Sequence, residues 1–233
     1  MTTIGLIGSG NIGSTVARLA VDAGHDVVLS NSRGPETLAD LVSDLGPHAR
    51  AATAEEAAAA GDLVVVTVPL SAVDRLPVAP LAGKTVIDTC NYYPQRDGNI
   101  AELDDESTTT SELVQRHLTD SKVVKGFNNI SYVHLANLAR PAGSPDRSVI
   151  AIAGDDAGAK AEVTAFLDSI GYDAYDIGPL AEGWRSQRDT AAYAGLYNGD
   201  TTGTWPPPPD SGVQITPDVM REKLAAAKRY RDM

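Results

Sequence analysis

The chain has 233 residues, of which 42% are hydrophobic and 5% aromatic, so aliphatic side chains must form most of its core. This length suits one α/β domain with additions, or a domain with a small lobe. The formal net charge of −12 argues against nucleic acid and anionic membranes as partners, because both would repel the protein. The single cysteine, Cys90, excludes an intramolecular disulfide, and the four scattered histidines predict no metal site.

The sequence contains no sign of a membrane or export segment. No apolar run approaches the roughly 18 residues that a membrane-spanning helix needs. Strand-like sequence begins at Thr3, which leaves no room for a signal peptide before it. We therefore expect a cytoplasmic protein.

Short β-rich runs alternate with helical stretches along the chain. Several runs are continuously apolar, which is typical of strands covered by helices on both faces. The alternation predicts an α/β fold with a doubly wound, mostly parallel Rossmann sheet. The predicted strands are Thr3–Ile7, Asp26–Ser30, Leu63–Val68, Lys84–Asp88, Lys122–Phe127, Ser148–Ala153 and Asp173–Ile177.

Helix signals fill the gaps between these strands. A helix is expected over Asn11–Ala23. Thr53 and Thr109 each begin a capping box, a polar residue followed three positions later by glutamate, and so predict two further helix starts. Asp155 or Asp156 is the expected cap of a helix that runs to about residue 170.

Two stretches interrupt the alternation. Residues 91–110 form a predicted polar loop. After about residue 198 the chain carries four consecutive prolines, Pro206–Pro209, which favour a stiff polyproline spacer. Thr216 and Pro217 then predict an amphipathic helix to about Arg231 that docks on the body or on a second subunit.

These features define the predicted domain organisation. We expect a Rossmann domain over residues 1–180 and a C-terminal helical lobe with the proline-rich tail over residues 181–233. We also expect a homodimer.

The segment Gly8-Ser9-Gly10-Asn11-Ile12-Gly13 follows the first predicted strand and opens the first predicted helix. In this pattern Gly8 permits a tight turn, Gly10 allows the backbone to approach a pyrophosphate, and Gly13 allows the helix to pack on the strand. The helix N-terminus offers free N–H groups to the phosphates. The segment therefore predicts dinucleotide binding.

The second strand indicates which dinucleotide is bound. NAD-binding units carry an acidic residue about 20 positions after the glycines, where it binds the ribose 2′-hydroxyl. This chain has Asn31, Ser32 and Arg33 at that place and no carboxylate. Because a 2′-phosphate needs hydrogen-bond donors and positive charge, the sequence predicts NADP(H).

Two further strand ends reach the same carboxyl edge of the predicted sheet. Val68 and Pro69 follow one strand, and proline there lacks the N–H group that would otherwise be unpaired. We expect this segment to border the nicotinamide. Cys90 follows the next strand and is expected to be a packing residue rather than an active thiol, since no histidine lies near it in sequence.

No general acid is evident in the sequence. No tyrosine has a lysine four positions later, so the Tyr-x-x-x-Lys proton donor of short-chain dehydrogenases is absent. Lys125 and Asn129 have the Lys-x-x-x-Asn spacing of hydroxyacid dehydrogenases, but this pair begins in a predicted strand and the match is interpreted as accidental. The sequence therefore favours a hydride acceptor whose reduction needs little proton transfer from the protein, such as a second redox cofactor.

Later segments add to the motifs above. They are Val123-Val124-Lys125-Gly126-Phe127-Asn128-Asn129-Ile130, Gly154-Asp155-Asp156 and Asp176-Ile177-Gly178-Pro179-Leu180. With the glycine turn and the Asn31-Ser32-Arg33 segment, they make the chain resemble the coenzyme F420-dependent NADP oxidoreductases over about residues 3–190. The resemblance implies that NADP(H) lies along the carboxyl edge of the sheet and that the deazaflavin F420 stacks on the nicotinamide.

The resemblance also implies roles for individual residues. Ser32 and Arg33 would hold the 2′-phosphate, as the donor argument already predicts. Val68 and Pro69 would back the nicotinamide. The catalytic candidates, Asn128 and Asn129, would lie near the transferring hydride.

The chain departs from the family pattern in three places. Deazaflavin-reducing archaeal members carry histidine where this chain has Asn128, and asparagine does not exchange a proton near neutral pH. The loop over residues 91–110 and the proline-bearing tail are longer than in the compact family pattern. The candidates for lining a second-substrate site are Tyr92, Tyr93, Trp184 and Arg185.

The sequence therefore predicts an NADP(H)-dependent oxidoreductase that exchanges hydride with coenzyme F420. Two alternatives stay open at this point. One is an NADPH-dependent reductase of a small carbonyl or imine substrate. The other is a non-catalytic NADP-binding sensor whose C-terminal helix contacts a partner.

Overall fold

A computed structural model describes residues 2–199 and 204–230. Its sheet has eight strands in the order β3-β2-β1-β4-β5-β6-β7-β8. The strands are β1 (Thr3–Ile7), β2 (Asp26–Ser30), β3 (Ala49–Ala51), β4 (Leu63–Val66), β5 (Thr85–Asp88), β6 (Lys122–Lys125), β7 (Val149–Gly154) and β8 (Asp173–Asp176). Helices flank the sheet, so the predicted doubly wound, mostly parallel α/β fold is confirmed.

The strand order places a reversal of winding at the centre of the sheet. The chain runs outward from β1 through β2 to β3 on one side, and from β4 towards β8 on the other. Strands β1 and β4 are direct neighbours, with Ile7 paired to Val66 at their carboxyl ends. In open α/β sheets, ligands bind outside the carboxyl ends of the strands at this point.

Three features of the sheet differ from the prediction. Strand β3 was not predicted, because its sequence Ala-Arg-Ala carries none of the β-branched or aromatic residues that favour strands. Strand β7 runs antiparallel to β6, with Lys125 paired to Ala153, whereas the other neighbouring strands described are parallel. The fourth strand ends at Val66, two residues before the predicted end.

The helices are α1 (Asn11–Asp22), α2 (Ala39–Leu45), α3 (Ala54–Ala60), α4 (Val78–Leu81), α5 (Pro94–Asp97), α6 (Ala101–Asp104), α7 (Thr110–His117), α8 (Tyr132–Asn137), α9 (Ala157–Ser169) and α10 (Pro217–Ala225). Thr53 and Thr109 form complete capping boxes, as predicted. Of the two aspartates proposed as a cap, Asp156 caps α9 by accepting from the Ala159 N–H at 2.8 Å.

Two predictions about irregular regions need correction. Residues 91–110 are not a plain loop, because the short helices α5 and α6 form within them. The last helix ends at Ala225 rather than near Arg231, which itself lies outside the described residues. Within the described ranges, no helix is long and apolar enough to cross a membrane.

The C-terminal segment returns to the body of the chain and shares its core. The Val149 N–H donates to the Ile215 carbonyl at 2.9 Å. Ile215, Met220 and Leu224 are buried in the same hydrophobic cluster as β1 and β7. The last helix therefore packs on its own chain, while a domain division at residue 180 stays a prediction.

Candidate active site

The turn between β1 and α1 depends on two glycines. Gly8 has a φ of +105°, and a Cβ on it would lie 2.5 Å from the Thr67 carbonyl oxygen. A Cβ on Gly13 would lie 2.1 Å from the Gly8 carbonyl oxygen. Thr67 Oγ1 donates to that same oxygen at 2.6 Å. Larger residues would therefore push the start of α1 away from the strand ends.

Gly10 differs from these two because its surroundings are open. No atom lies within 4 Å of the position that a Cβ on Gly10 would take. It is the N-cap residue of α1, so the first N–H groups of that helix point into open space. The neighbouring Ser9 hydroxyl donates to the Ser30 carbonyl at 2.9 Å and joins the ends of β1 and β2. This arrangement suits an approaching pyrophosphate.

The loop after β2 presents donors at the position expected for the adenosine ribose. Asn31 Oδ1 accepts from the Arg33 N–H at 2.9 Å, and Asn31 Nδ2 donates to Thr37 Oγ1 at 2.8 Å. Ser32 and Arg33 are exposed. Within the described ranges, the Arg33 guanidinium forms no ion pair or side-chain hydrogen bond. It is free to meet a phosphate.

A cleft of about 320 Å³ runs along the carboxyl edge of the sheet from the start of α1. It unites residues from six separate parts of the chain. Its lining residues are Gly10, Asn11, Ile12, Thr67, Val68, Pro69, Thr89, Cys90, Asn91, Tyr93, Arg96, Phe127, Asn128, Ile130, Ser131, Tyr132, Tyr193 and Trp205. The predicted nicotinamide contacts and Asn128 therefore share one cleft.

The two catalytic candidates have different surroundings. Asn128 is 4% exposed, and its Nδ2 donates to the Ser186 carbonyl at 2.8 Å. Within the described ranges, the Oδ1 atoms of both asparagines, Asn128 and Asn129, are buried with no hydrogen-bond partner. Asn129 is not among the residues that line the cleft, and its Nδ2 donates to the Ala192 carbonyl at 3.0 Å. The positions favour Asn128 as the residue that meets a ligand.

The backbone before Asn128 has an unusual conformation. Phe127 has a φ of +58°, which is uncommon for a bulky side chain. Its ring is buried and packs edge-on against Phe166, with ring centroids 6.4 Å apart. This packing fixes the turn between β6 and Asn128.

Tyr93 and Tyr193 form a hydroxyl pair that the sequence did not indicate. Their oxygen atoms lie 2.7 Å apart, and both side chains line the cleft. Arg96 and Arg188 lie over the Tyr93 ring, at 4.7 and 5.2 Å from its centroid. Burial raises the pKa of Tyr193, and the hydrogen bond with Tyr93 adds to this effect. Tyr193 therefore carries its proton throughout the neutral range.

A buried ion pair lies directly behind the cleft. Lys125 is 1% exposed, and its Nζ lies 3.1 Å from Asp88 Oδ2. The same amine donates to Thr110 Oγ1 and to the Cys90 carbonyl. Asp88 also accepts from the Cys90 N–H and from Ser111 Oγ. Lys125 therefore fixes the segment after β5, and its spacing to Asn129 has no catalytic meaning.

Cys90 fits the packing role expected for it. Its Sγ is buried and lies 3.3 Å from the Val68 carbonyl oxygen. Burial raises the pKa of the thiol well above its ordinary value, and the Asp88 carboxylate raises it further. The thiolate that would act as a nucleophile is therefore disfavoured.

Of the four residues proposed to line a second-substrate site, only Tyr93 lines the cleft. Tyr92 donates its hydroxyl hydrogen to Asp104 at 2.7 Å, outside the cleft. Trp184 lies between the guanidinium groups of Arg185 and Arg229, each 4.5 Å from its ring. Within residues 2–199 and 204–230, no cluster of side chains suits a metal ion.

Comparison with known proteins relates this geometry to a family. Residues 3–92 match the model of a family described as NADP oxidoreductase, coenzyme F420-dependent. No curated protein matches the chain.

Two solved structures cover most of the chain. A hypothetical protein from Sinorhizobium meliloti is 28% identical with a TM-score of 0.73, over 83% of this chain and 94% of its own. A proposed F420-dependent NADP reductase from Arthrobacter sp. FB24 is 27% identical with a TM-score of 0.65, over 77% of this chain and 86% of its own. An imine reductase from Aspergillus terreus, solved with NADPH4, is 20% identical with a TM-score of 0.56, over 78% of this chain and 56% of its own, and shares the fold.

The family match covers both the glycine turn and the segment with Arg33, the features that predicted NADP(H) from the sequence. The resemblance inferred from the sequence is therefore confirmed. The chain is an NADP-dependent oxidoreductase, and its residues 3–92 are similar to the coenzyme F420-dependent NADP oxidoreductases.

Proposed function

We propose that this protein transfers hydride between NADP(H) and the deazaflavin coenzyme F420. The observation that carries the proposal is the continuous cleft from the α1 N-terminus to a group of aromatic side chains, with Asn128 among its lining residues. The family match and the Arthrobacter structure support F420 as the second ring system.

The residues present fit NADP(H) at each part of the molecule. The open space at Gly10 and the free N–H groups of α1 would receive the pyrophosphate. Ser32 and Arg33 would hold the 2′-phosphate, where the unpaired guanidinium offers the charge that NAD-specific units lack. Val68 and Pro69 would back one face of the nicotinamide.

When both are bound, the nicotinamide and the deazaflavin supply the donor and the acceptor of the hydride. Both sites would lie in one cleft, so proximity and orientation would provide most of the catalysis. Asn128 is fixed through its Nδ2 on the Ser186 carbonyl and would border the two rings as part of the cleft lining. We include a homodimer and a cytoplasmic location in this proposal; light scattering of the purified protein measures the first.

The test mixes purified protein with NADPH and oxidised F420 under anaerobic conditions. We expect the visible absorbance of oxidised F420 to bleach with time, together with the absorbance of NADPH. NADPH binding is measured separately by calorimetry. Binding of NADPH without bleaching of F420 contradicts the proposal.

One observation favours the reduction of a small carbonyl or imine as a second candidate function. Reduction of such a substrate needs a proton at oxygen or nitrogen after the hydride reaches carbon. The hydroxyl pair of Tyr93 and Tyr193 places a phenolic donor in the cleft. A panel of aldehydes, ketones and imines with NADPH tests this function, with Tyr193→Phe expected to slow turnover and Tyr132→Phe as the cleft-lining control.

A further inference from the structure

Trp205 is an exposed aromatic side chain at the cleft. It is 65% exposed and lines the same cleft as Asn128 and Tyr193. Within the described ranges its indole N–H has no hydrogen-bond partner, and Trp205 is the most exposed large hydrophobic residue there. A tryptophan left in water costs free energy that contact with another apolar surface would recover.

The chain after Trp205 is fixed to helix α8. Asn137 Nδ2 donates to the Pro209 carbonyl at 3.3 Å, and the Ser211 hydroxyl lies 3.0 Å from His134 Nε2. A Cβ on Gly212 would meet Leu138 at 3.0 Å, so the backbone lies directly on the helix. Helix α8 itself follows Asn128 by a few residues. These contacts tie the tail to α8 from four residues after Trp205, whose side chain lines the cleft.

The cleft that Trp205 lines suits a flat ring, because several of its other lining side chains are aromatic or apolar. Tyr132, Tyr193 and Ile130 line the cleft together with Asn128 and Trp205. Val68 and Pro69 line it too, at the place proposed for the nicotinamide. A second planar ring in this cleft would therefore share it with both the nicotinamide site and the indole.

We propose that Trp205 stacks on the ring of the hydride acceptor and is a specificity-determining residue for it. This inference rests on the proposed F420 function and assigns the outer contact of that ring to the tail. Aromatic stacking is effective for a wide, conjugated ring and weak for a small aliphatic carbonyl, because the contact area differs. The tail would thereby select a tricyclic acceptor.

The kinetic test compares Trp205→Ala and Trp205→Phe with the matched control Trp184→Phe. The chain has two tryptophans, and Trp184 lies between two arginines outside the cleft. Loss of the stacking contact should raise the KM for F420 roughly tenfold, or about 1.4 kcal/mol, in Trp205→Ala. The KM for NADPH should change less than about twofold, Trp205→Phe should retain most of the affinity, and Trp184→Phe should match wild type.

A binding test needs no turnover. In Trp184→Phe the only tryptophan is Trp205, and in Trp205→Phe it is Trp184. Each variant is titrated with oxidised F420 in the presence of NADP⁺, and tryptophan emission and its lifetime are recorded. Stacking predicts strong static quenching, with an unchanged lifetime of the remaining emission, in Trp184→Phe and much weaker static quenching in Trp205→Phe.

The outcomes separate the two proposals. Wild-type protein that does not bleach F420 overturns the proposed function and this inference with it. Wild-type protein that bleaches F420, while Trp205→Ala keeps the wild-type KM for F420, overturns the role of Trp205 alone. Equal static quenching in the two single-tryptophan variants also overturns that role.

Discussion

The two halves of the cleft are built in different ways. The phosphate-binding part of the nucleotide half comes from one contiguous stretch, in which Gly8, Gly10 and Gly13 shape a turn and Arg33 follows just after the next strand. The acceptor half combines Tyr93, Asn128, Tyr193 and Trp205, which lie far apart in sequence. The first half depends on backbone shape, and the second depends on long-range packing around a buried charge.

This difference predicts how substitutions affect each half of the cleft. A change in the glycine turn should affect the bound nucleotide directly. A change beneath the acceptor half should loosen segments that meet only in the folded chain. Variants in each half therefore test whether the halves are independent.

The largest effect is expected for Lys125→Met. It leaves Asp88 as a buried carboxylate without its cation, and breaking a buried ion pair typically costs about 3–5 kcal/mol. Urea unfolding should show this loss. Arg116→Met, which removes an exposed ion pair with Glu102, is the control and should leave the free energy of unfolding almost unchanged.

The double variant Lys125→Met/Asp88→Asn refines this first prediction. Removal of both charges should restore part of the lost stability, since no uncompensated charge then stays buried. If Lys125→Met were as stable as wild type, the ion pair of Lys125 and Asp88 would not stabilise the acceptor half.

The glycine turn gives the next largest effect. Gly13→Ala brings a Cβ to 2.1 Å from a backbone oxygen, so we expect a loss of about 1–3 kcal/mol in stability. Gly10→Ala meets no atom within 4 Å and should fold normally, yet its methyl group occupies the space of the pyrophosphate. It should weaken NADPH at least tenfold in calorimetry. Equal thermal stability of the two variants would contradict this division of roles.

The sequence was sufficient for the nucleotide half because its determinants are local. The glycine spacing, the absence of a carboxylate near Arg33 and the capping boxes at Thr53 and Thr109 each lie within a few residues. Strand alternation likewise predicted the sheet. The reversal of β7 was not predicted, because an apolar run does not encode the direction of a strand.

The arrangement of the acceptor half could not be predicted from the sequence in the same way. Tyr93 and Tyr193 are 100 positions apart, and only the fold brings their hydroxyl groups together. The burial of Lys125 was not predicted, because lysine is usually exposed. Its buried position depends on the ion pair with Asp88 on the neighbouring strand. Trp184 and Trp205 are both tryptophans near the C-terminus, but only Trp205 lines the cleft.

Arg33→Ala tests the specificity of the nucleotide half. Charge-assisted hydrogen bonds contribute about 1.5–3 kcal/mol, so the affinity for NADPH should fall roughly 10- to 100-fold. The affinity for NADH should hardly change, because it lacks the 2′-phosphate. Arg50→Ala, on the exposed strand β3, is the control and should bind both nucleotides as wild type does. Equal losses for NADPH and NADH in Arg33→Ala would remove the 2′-phosphate assignment.

The smallest effect concerns pH and the tail that carries Trp205. His134 is buried on α8 beside Ser211, and burial lowers its pKa below the ordinary value of 6.5. The folded state therefore favours the neutral ring, while the unfolded chain takes up a proton below about pH 6.5. The contribution to stability is complete above that pH and is lost as the pH falls through the folded-state pKa.

Thermal unfolding at pH 7.5 and 5.5 measures this contribution. Wild type should lose more in Tm between the two values than His134→Gln, by about 2–4 °C for each 1 kcal/mol of linked free energy. Glutamine keeps a hydrogen bond to Ser211 but does not titrate, and the other histidines and the carboxylates contribute equally to both proteins. The same pH dependence in both would show that the tail is held without His134. A larger loss in wild type would mean that the acceptor half, unlike the glycine turn, weakens in mild acid.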